Sequence, residues 1–357
     1  MELIDKIKSS LRPFLIAGPC SAESEEQVHS LITSIAKNTP TQLIRAGIWK
    51  PRTRPNSFEG KGDVALKWLV DAGKSVNLPT AVEVANQHHV EAAIEAGIDV
   101  LWIGARTTVN PFTVQEIADV LAGTNIPVMI KNPVNPDLEL WIGAFERLEK
   151  AGINQLVAVH RGFSYYNHLK YRNVPQWEIP ISLKERKPEI PIICDPSHIA
   201  GNRQLIPVIA QKAMDLNFDG LMIESHLNPE TALSDANQQI TPFVLKKIIE
   251  ELVIRRHDIS PSVEEKLAEM REKIAILDDR VFEMLSARMK ISAEVGNFKR
   301  ENHITILQQE HWMQIIAKRL ETLNELGLTE RFVRKVMDEI HQESIRHQTK
   351  VMNPGHG

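Results

Sequence analysis

Short apolar segments typical of β-strands recur through roughly the first 250 residues, and helical patterns separate most of them. The segments are apolar almost without interruption, which indicates a parallel sheet covered by helices. Several of the helical stretches end at a glycine, as helix C-termini commonly do. The eight strand-like segments are residues 14–18, 42–47, 80–84, 100–104, 127–131, 156–160, 190–195 and 220–224.

Eight strand–helix units in about 250 residues match the size of a (β/α)8 TIM barrel. We therefore expect an α/β barrel over residues 1–254, with a doubly wound open sheet as the alternative. The polar stretch RRHDISPS that follows is interpreted as a linker at 255–261.

The pattern after the linker is helical throughout, and Ser262 with Glu265 forms a capping-box motif. No segment of this part resembles a strand, so we expect an all-α domain over 262–352 and a short tail at 353–357. The expected helices span residues 262–300, 305–326 and 329–350.

The composition of 43% hydrophobic and 25% charged residues is that of a packed globular protein. The net charge of −4 provides no overall basic field, so we expect no nucleic-acid partner. No apolar run approaches the ~18 residues of a membrane span and the N-terminus lacks a leader pattern, which predicts a cytoplasmic enzyme with no membrane partner. Cys20 and Cys194 are expected to be free thiols.

Polar side chains stand at or just past the ends of all eight strand-like segments. In a parallel barrel these ends meet at one face, where active sites form. Each residue taken alone could be a solvated loop group, but a ring containing so many cations indicates a site. The eight residues are Cys20, Arg45, Glu83, Arg106, Lys131, Arg161, Asp195 and Glu224.

Two kinds of chemistry are suggested by this ring. Arg106, Lys131 and Arg161 end three consecutive strands, and such a cluster suits a dianion such as phosphate, unless the three form surface ion pairs. The segment KPRTRPNSF adds further groups to the same mouth, Lys50, Arg52 and Thr53. Two anionic substrates, or one long one, are therefore expected.

A candidate metal site combines a thiolate, an imidazole and two carboxylates from the first, seventh and eighth loops. Such a mixed set suits one divalent ion, Mn, Fe, Co or Zn, which could polarise a carbonyl oxygen. Cys20 as a small buried apolar residue and Asp235 as a helix cap are the alternatives. The four residues are Cys20, His198, Glu224 and Asp235.

In the helical part, one stripe at three-four spacing carries two arginines and a lysine on the face expected to be buried. Its residues are Arg271, Ile274, Asp278, Val281, Leu285, Arg288, Ser292, Val295 and Lys299. A coiled-coil seam with polar interruptions is one interpretation, and an anion site is the other. Arg271 and Arg288 lie about 25 Å apart on one helix, so a shared site would require a second chain and predicts a homodimer.

The motifs AGPCSAES, KPRTRPNSFEGKG, IGAR, IKNP, HRG, DPSHIAGNR, IESH and LSDA occur in the order found in one enzyme family. Residues 14–250 thereby resemble 3-deoxy-D-arabino-heptulosonate 7-phosphate (DAHP) synthase of type I beta. The resemblance implies metal-assisted condensation of phosphoenolpyruvate with erythrose 4-phosphate in the shikimate pathway, which leads to aromatic amino acids. A related synthase that uses arabinose 5-phosphate is the alternative, and the KPRT segment argues against it.

Residue roles follow from this resemblance. Cys20, His198, Glu224 and Asp235 would be the metal ligands, and Lys50, Arg106, Lys131 and Arg161 would hold phosphoenolpyruvate. Arg52 and Thr53 would take the sugar phosphate, with Asp195 near the sugar hydroxyls. Lys131 is our candidate acid for the new alkoxide and Glu83 our candidate for orienting water.

Residues 262–352 resemble the all-helical (AroQ-type) chorismate mutase family, including the closing SIRHQ. The resemblance implies rearrangement of chorismate to prephenate, with Lys299 and Gln348 at the ether oxygen. Arg288 and Arg271 of a partner chain would bind the carboxylates. The full chorismate set is Arg271, Arg288, Lys299, Gln308, Ser344 and Gln348.

The chain departs from this second family at three positions. Gln308 stands where an aspartate is common, and His311 and Trp312 replace an arginine and a glutamate. We therefore expect weaker or more pH-dependent turnover, or a non-catalytic domain that senses a ligand and dimerises. The barrel begins within about fourteen residues of Met1, which leaves no room for a regulatory domain before it. Feedback inhibition by prephenate or chorismate would then act through the helical domain.

Overall fold

The computed structural model describes residues 2–10, 13–50, 57–166, 170–255, 260–321 and 323–353, without the side chains of residues 309, 311, 324 and 325. The chain forms two compact units, residues 1–255 and residues 256–357. No described helix is both long and apolar enough to cross a membrane.

Eight parallel strands close into a barrel in the first unit, each strand pairing with the next in sequence. The first and last strands complete the ring over five residue pairs, from Phe14 with Gly220 to Gly18 with Glu224. This arrangement confirms the predicted TIM barrel and excludes the open sheet. The strands are β1 Phe14–Gly18, β2 Leu43–Ala46, β3 Thr80–Val84, β4 Val100–Ile103, β5 Val128–Lys131, β6 Leu156–His160, β7 Ile192–Cys194 and β8 Gly220–Glu224.

Helices surround the barrel, and most of the longer ones start at a residue whose side chain accepts a backbone hydrogen bond. Ser24, Asn86, Asn110, Asp137 and Thr241 each accept from an N–H in the first turn, which satisfies a donor that the helix leaves unpaired. The helices are α1 Leu3–Ser9, α2 Glu25–Asn38, α3 Val64–Ser75, α4 Gln87–Ala96, α5 Ala105–Thr108, α6 Pro111–Leu121, α7 Leu138–Lys150, α8 Glu178–Arg186, α9 Pro196–Ala200, α10 Ile206–Asp215 and α11 Pro242–Glu251.

The first unit has two apolar cores. One lies between the sheet and the helices, and the other fills the inside of the barrel with residues such as Phe14, Trp102 and Met129. Helix α1 adds Leu3 and Ile7 to the inner core, at the end where the strands begin. The inside of the barrel is therefore packed with side chains, and the strand ends opposite α1 remain available for chemistry.

The second unit contains four helices, α12 Pro261–Glu301, α13 Gln309–Glu321, α14 Leu323–Leu326 and α15 Glu330–Met352. The all-α prediction is confirmed, but the predicted capping box is wrong. Ser260 takes the N-cap position and Pro261 the first helical position, where a missing N–H costs nothing, so Ser262 lies inside the helix. The predicted second helix also starts later, at Gln309.

Helix α12 packs against α15 only along its second half. Its buried residues are Met289, Ser292, Gly296 and Lys299, and Gly296 lies so close to α15 that an added Cβ would come within 2.6 Å of Val351. In the first half, Ile274 and Val281 are more than half exposed. The prediction that the stripe from Arg271 to Lys299 is buried along its whole length is therefore wrong for a single chain. No described helix covers residues 261–284.

Candidate active sites

The ends of β2 and β8 are joined by a buried ion pair. Arg45 donates a hydrogen bond of 2.6 Å to Glu224, and both side chains are almost fully buried. Burial by itself raises the pKa of Glu224, but His198 and Arg45 outweigh it and hold the pKa well below its usual range. The Arg45 guanidinium also lies 4.8 Å from the centre of the Trp102 ring, a cation–π contact. Arg45 is one of the eight strand-end residues predicted from the sequence, and the structure shows that it holds Glu224 in place.

A second buried pair joins β5 to the turn after β7. Lys131 Nζ donates to Asp195 over 2.9 Å, and its ammonium group lies 5.7 Å from the Trp102 ring centre. His198 Nδ1 lies 2.7 Å from the same Asp195 carboxylate. Burial disfavours the Asp195 carboxylate, but His198 and Lys131 together keep its pKa well below the usual range. The contacts with Asp195 and Trp102 thereby hold the Lys131 ammonium group at the mouth of the barrel.

Arg161 follows β6 and is buried among other cations. Its backbone N–H donates to the Asn132 side chain over 2.7 Å. Burial lowers the pKa of Arg161 to about 10, and the nearby charges of Arg172 and Arg106 contribute to this fall. The structure thus places Arg106 and Arg161 in mutual electrostatic range, with Arg106 exposed and Arg161 buried. Asp195 and Glu83 offset part of this positive charge, and a cluster that contains three arginines still favours an anion.

His160, at the end of β6, has a structural role. Its ring packs within 5.2 to 6.1 Å of the rings of Phe163, Trp177 and Phe218. Burial, with Arg161 nearby, lowers the pKa of His160 to about 3, so the ring stays neutral at physiological pH. The neutral ring therefore adds no charge beside Arg161, the next residue in the chain.

Three potential metal ligands converge beside these cations. One atom each from Cys20, Glu224 and Asp235 lies within 4.8 Å of the others, and the Cys20 sulfur is 3.4 Å from Asp235 Oδ2. His198 Nε2 lies 3.8 Å from Glu224 Oε1, on the edge of this group. Lys50, which was predicted to hold phosphoenolpyruvate, lies beside the metal ligands instead of apart from them, with its Nζ 3.1 Å from the Cys20 sulfur.

The donor set fits a divalent cation. Burial, reinforced by Glu224, raises the pKa of Cys20 to about 12, so the thiol is protonated unless a nearby cation draws the proton off. Sulfur, imidazole and carboxylate donors together suit a transition ion better than Mg²⁺ or Ca²⁺, which prefer oxygen ligands. Cys20, His198, Glu224 and Asp235 are therefore the residues that would hold the metal.

Sequence reasoning missed two groups that hold these donors in place. Arg172 lies 3.1 Å from Asp235 and donates to Gln238 over 2.6 Å, and Gln238 donates in turn to Glu224 over 2.6 Å. Arg172 also fills the space beside Gly201, where a Cβ would come within 2.4 Å of its side chain. No motif or periodic pattern in the sequence marks Arg172. It lies eleven residues after Arg161 of the HRG motif.

The remaining predicted groups of the barrel have mixed outcomes. Glu83 accepts a hydrogen bond of 3.0 Å from Trp102 Nε1, at the end of β3. Arg52 and Thr53 lie outside the described residues. The prediction that the KPRT segment selects erythrose 4-phosphate over arabinose 5-phosphate therefore stays a prediction. A cavity of about 530 Å³ opens at the opposite end, beneath α1, but it contains none of the predicted site residues.

The helical unit contains a cavity of about 470 Å³ between α12, α13 and α15. Five of the six residues predicted for chorismate line it: Arg288, Lys299, Gln308, Ser344 and Gln348. The sixth, Arg271, is exposed and pairs with Glu264 over 2.9 Å, away from the cavity. The long separation expected between Arg271 and Arg288 is thus present in the structure.

Polar groups in this cavity are partly engaged. Arg288 donates to Ser344, and Lys299 Nζ donates to the carbonyl of Ile306 over 2.6 Å. Burial lowers the pKa values of Arg288 and Lys299, and Arg319 adds to the effect on Arg288. The buried Gln348 Oε1 has no hydrogen-bond partner among the described residues, so this polar group is available to a ligand.

Trp312 and His341 form the remaining feature of the cavity. Their rings are parallel, with an angle of 7° and centroids 3.8 Å apart. The side chain of His311 lies outside the described residues. His341 was missed in the sequence, although it stands three residues before Ser344 and therefore on the same face of α15.

Comparisons with known proteins give the same division of the chain. A family model described as the DAHP synthetase I family matches residues 6–257, and one described as chorismate mutase type II matches residues 270–349. A phospho-2-dehydro-3-deoxyheptonate aldolase of Thermotoga maritima is 27% identical over 67% of this chain and 68% of its own length. A 2-dehydro-3-deoxyphosphooctonate aldolase of Acidithiobacillus ferrooxidans is 30% identical over 62% of this chain and 82% of its own length.

A solved structure shares the barrel fold. The crystal structure of the Thermotoga maritima DAHP synthase superposes with a TM-score of 0.61 at 26% identity, covering 67% of this chain and 68% of that one. The similarity therefore extends over the barrel in both sequence and fold.

Metal binding can be tested with two matched thiol variants. Cys20→Ser should abolish the near-ultraviolet thiolate-to-cobalt absorption that appears when the full chain is titrated with Co²⁺, because the sulfur donor is lost. Cys194→Ser is the control, since Cys194 is equally buried but lies outside the donor group. An unchanged cobalt spectrum in Cys20→Ser would contradict the assignment.

Proposed function

Because the chain belongs to the DAHP synthetase I family over residues 6–257 and carries a type II chorismate mutase domain over residues 270–349, we propose that one molecule catalyses two reactions of the shikimate pathway. The first condenses phosphoenolpyruvate with erythrose 4-phosphate to DAHP and phosphate. The second rearranges chorismate to prephenate. The first proposal rests chiefly on one observation, the buried cations Lys131 and Arg161 beside the group of Cys20, Glu224 and Asp235.

In the first reaction, Arg161, Lys131, Arg106 and Lys50 would hold phosphoenolpyruvate. Arg161 is buried and, among the described residues, its guanidinium donates to the carbonyl oxygen of Gly162 and to no carboxylate, so it could also bind the phosphate or carboxylate of the substrate. Lys131 is held by Asp195 at the same mouth. Arg106 is exposed and would complete the site from the solvent side.

The chemical steps require a proton donor and a placed water. C3 of phosphoenolpyruvate attacks the aldehyde carbon of the sugar, and Lys131 Nζ gives a proton to the oxygen that becomes an alkoxide. The attack leaves C2 cationic, and a water oriented by Glu83 adds there and releases one proton, which restores the proton given by Lys131. The resulting hemiketal phosphate then collapses to the ketone: its C2–O bond to phosphate breaks, and the phosphate leaves with the bridging oxygen and the hydroxyl proton. A divalent metal, when bound, would polarise the aldehyde carbonyl. Asp195 keeps Lys131 in place and also lies near the sugar hydroxyls.

Erythrose 4-phosphate is the proposed acceptor sugar, with Arg52 and Thr53 taking its phosphate. Arabinose 5-phosphate is the competing acceptor, because 2-dehydro-3-deoxyphosphooctonate aldolases also resemble this barrel. A synthase assay with each sugar distinguishes the two.

In the second reaction, the cavity would hold chorismate in the compact conformer from which it rearranges. Arg288 would bind a carboxylate, and Lys299 with Gln348 would stabilise the negative charge that grows on the ether oxygen. The cations Arg288 and Lys299 in the cavity lining support this assignment, and the Gln348 side chain, which also lines the cavity, would donate to the ether oxygen through Nε2. No nucleophile is needed, because the bonds break and form in one step.

We further propose that the protein is a homodimer through its helical domain. Residues 261–284 of α12 expose large apolar side chains, among them Ile274 and Leu277, each at 57%, and Phe282 at 70%. A second chain whose α12 runs antiparallel would cover this surface and bring its Arg271 to the cavity. The non-catalytic alternative, a ligand-sensing dimerisation module, uses the same surface and the same cavity.

The two activities should respond to different lysines of the same chain. Lys131→Met should reduce synthase kcat/KM by about 100-fold or more and leave mutase turnover unchanged, and Lys299→Ala should do the reverse, since each removes a charge placed for one transition state. The exposed Lys150 and Lys290 offer the controls Lys150→Met and Lys290→Ala. Mutase turnover that survives in Lys299→Ala would contradict the role given to this lysine, and mutase turnover that is absent from the wild type would favour the non-catalytic sensor.

Sharing of the helical site can be tested by mixing inactive variants. Arg271→Ala and Arg288→Ala should each abolish mutase turnover, but subunit exchange between them should restore about one quarter of the wild-type rate, since half of the dimers then hold one intact site. The rate is measured before and after exchange in dilute denaturant. A mixture that stays inactive although exchange is verified would contradict the proposal.

Feedback is proposed to act through the helical cavity. Prephenate or chorismate bound there would lower the synthase rate, because ligand binding in one domain can shift the conformations of another. Prephenate should inhibit the synthase of the wild type and lose this effect in Arg288→Ala, while scattering profiles of the wild type change with the ligand. Identical rates and profiles with and without prephenate would argue against this control.

A further inference from the structure

The helical cavity is lined by two cations and by no carboxylate among the side chains that the structure describes. The charged groups in its lining are Arg288 and Lys299, with His341 as a titratable neighbour. A cavity of this kind attracts a dianion, and the acceptors that its described side chains offer to an uncharged hydroxyl are neutral groups. Chorismate, the ligand proposed above, carries two carboxylates, an ether oxygen and one ring hydroxyl, so the hydroxyl needs a partner.

Most polar lining groups are already engaged or assigned. The Ser344 hydroxyl donates to the carbonyl of Ile340 over 2.7 Å and accepts from Arg288. Lys299 is tied to the carbonyl of Ile306 and, with Gln348, faces the ether oxygen in the proposed mutase reaction. His341 forms no hydrogen bond with the described residues, so its two ring nitrogens remain available.

The imidazole of His341 is held in a fixed plane. Trp312, from α13, stacks on it at a centroid distance of 3.8 Å, which covers one face of the imidazole but not the ring edge that carries the nitrogens, and His341 itself lines the cavity. Burial lowers the pKa of His341, and Arg288 lowers it further, more than Asp338 raises it. A neutral imidazole offers one donor and one acceptor, the pair that a hydroxyl requires.

We propose that His341 recognises the ring hydroxyl of the ligand and that Trp312 is its positioning residue. This inference rests on the mutase function proposed above and assigns the specificity of the same cavity. It also gives a use to the departures at Gln308 and Trp312, where the family pattern has carboxylates. His341 stands on α15, and Trp312, which stands on α13 where that family has a glutamate, orients it.

The test compares chorismate with the analogue that lacks the ring hydroxyl, using the full chain. His341→Phe keeps a flat ring against Trp312 but removes both nitrogens. It should lose about tenfold in kcat/KM on chorismate and almost nothing on the deoxy analogue, in keeping with the loss of one hydrogen bond. Trp312→Ala should show the same selective loss, and Trp312→Phe should largely restore it. His347→Phe, on the same helix but outside the cavity lining, is the control.

Each outcome bears on a separate proposal. If His341→Phe loses kcat/KM equally on chorismate and on the deoxy analogue, His341 has a structural role and the inference is overturned. The inference is also overturned if the ratio of kcat/KM for the two compounds is the same in His341→Phe as in the wild type. If the wild type converts neither compound, the catalytic function fails, and the comparison is made by calorimetric binding instead. Hydroxyl-dependent binding that His341→Phe removes would then uphold the inference, and absence of binding would overturn both.

Discussion

The buried ion pair between Arg45 and Glu224 is the contact on which the barrel site depends. It reaches across β1, from β2 on one side to β8 on the other, directly beside Cys20 at the end of β1. Removing one partner would leave an uncompensated charge in the interior, a change that typically costs about 3–5 kcal/mol. Gly18 is required at this point, because a Cβ there would lie 1.9 Å from the Arg45 carbonyl oxygen. The close approach of β1 and β2 thus sets where the carboxylate of Glu224 can lie.

The helical unit follows a different principle. Its cavity is formed within one chain by α12, α13 and α15, yet the first half of α12 has no described covering, and Arg271 stands there on the exposed surface. The barrel satisfies its own buried charges through pairs such as Lys131 with Asp195. The two units therefore differ within the described part of the chain: the barrel pairs buried charges within itself, whereas residues 261–284 of α12 stay uncovered, the surface at which we propose that a second molecule binds.

The barrel and its strand-end residues could be predicted from the sequence because the closed parallel topology by itself determines which residues lie together. Once eight parallel strands close, residues at their ends share one mouth wherever they lie in the chain. Arg172 could not be predicted, because it lies in an irregular segment and its position depends on the space beside Gly201 and on Gln238. No periodic pattern encodes such contacts.

The errors in the helical part have a similar physical origin. Periodicity marks the stripe from Arg271 to Lys299 as a face to be covered, but it does not say by which chain. His341 was overlooked because a single histidine on an amphipathic helix gives no signal, and only the position of Trp312 on another helix gives it a fixed orientation.

Helix α1 has a consequence for the order of events at the barrel. Because Leu3, Ile7 and the interior side chains close the barrel from below, ligands reach the charged mouth from one direction only. In the proposed synthase reaction, the substrate held by the deeply set Lys131 and Arg161 would have to arrive before the second substrate is seated above it. A closed floor would then give a two-substrate reaction at this mouth a compulsory order of arrival and departure.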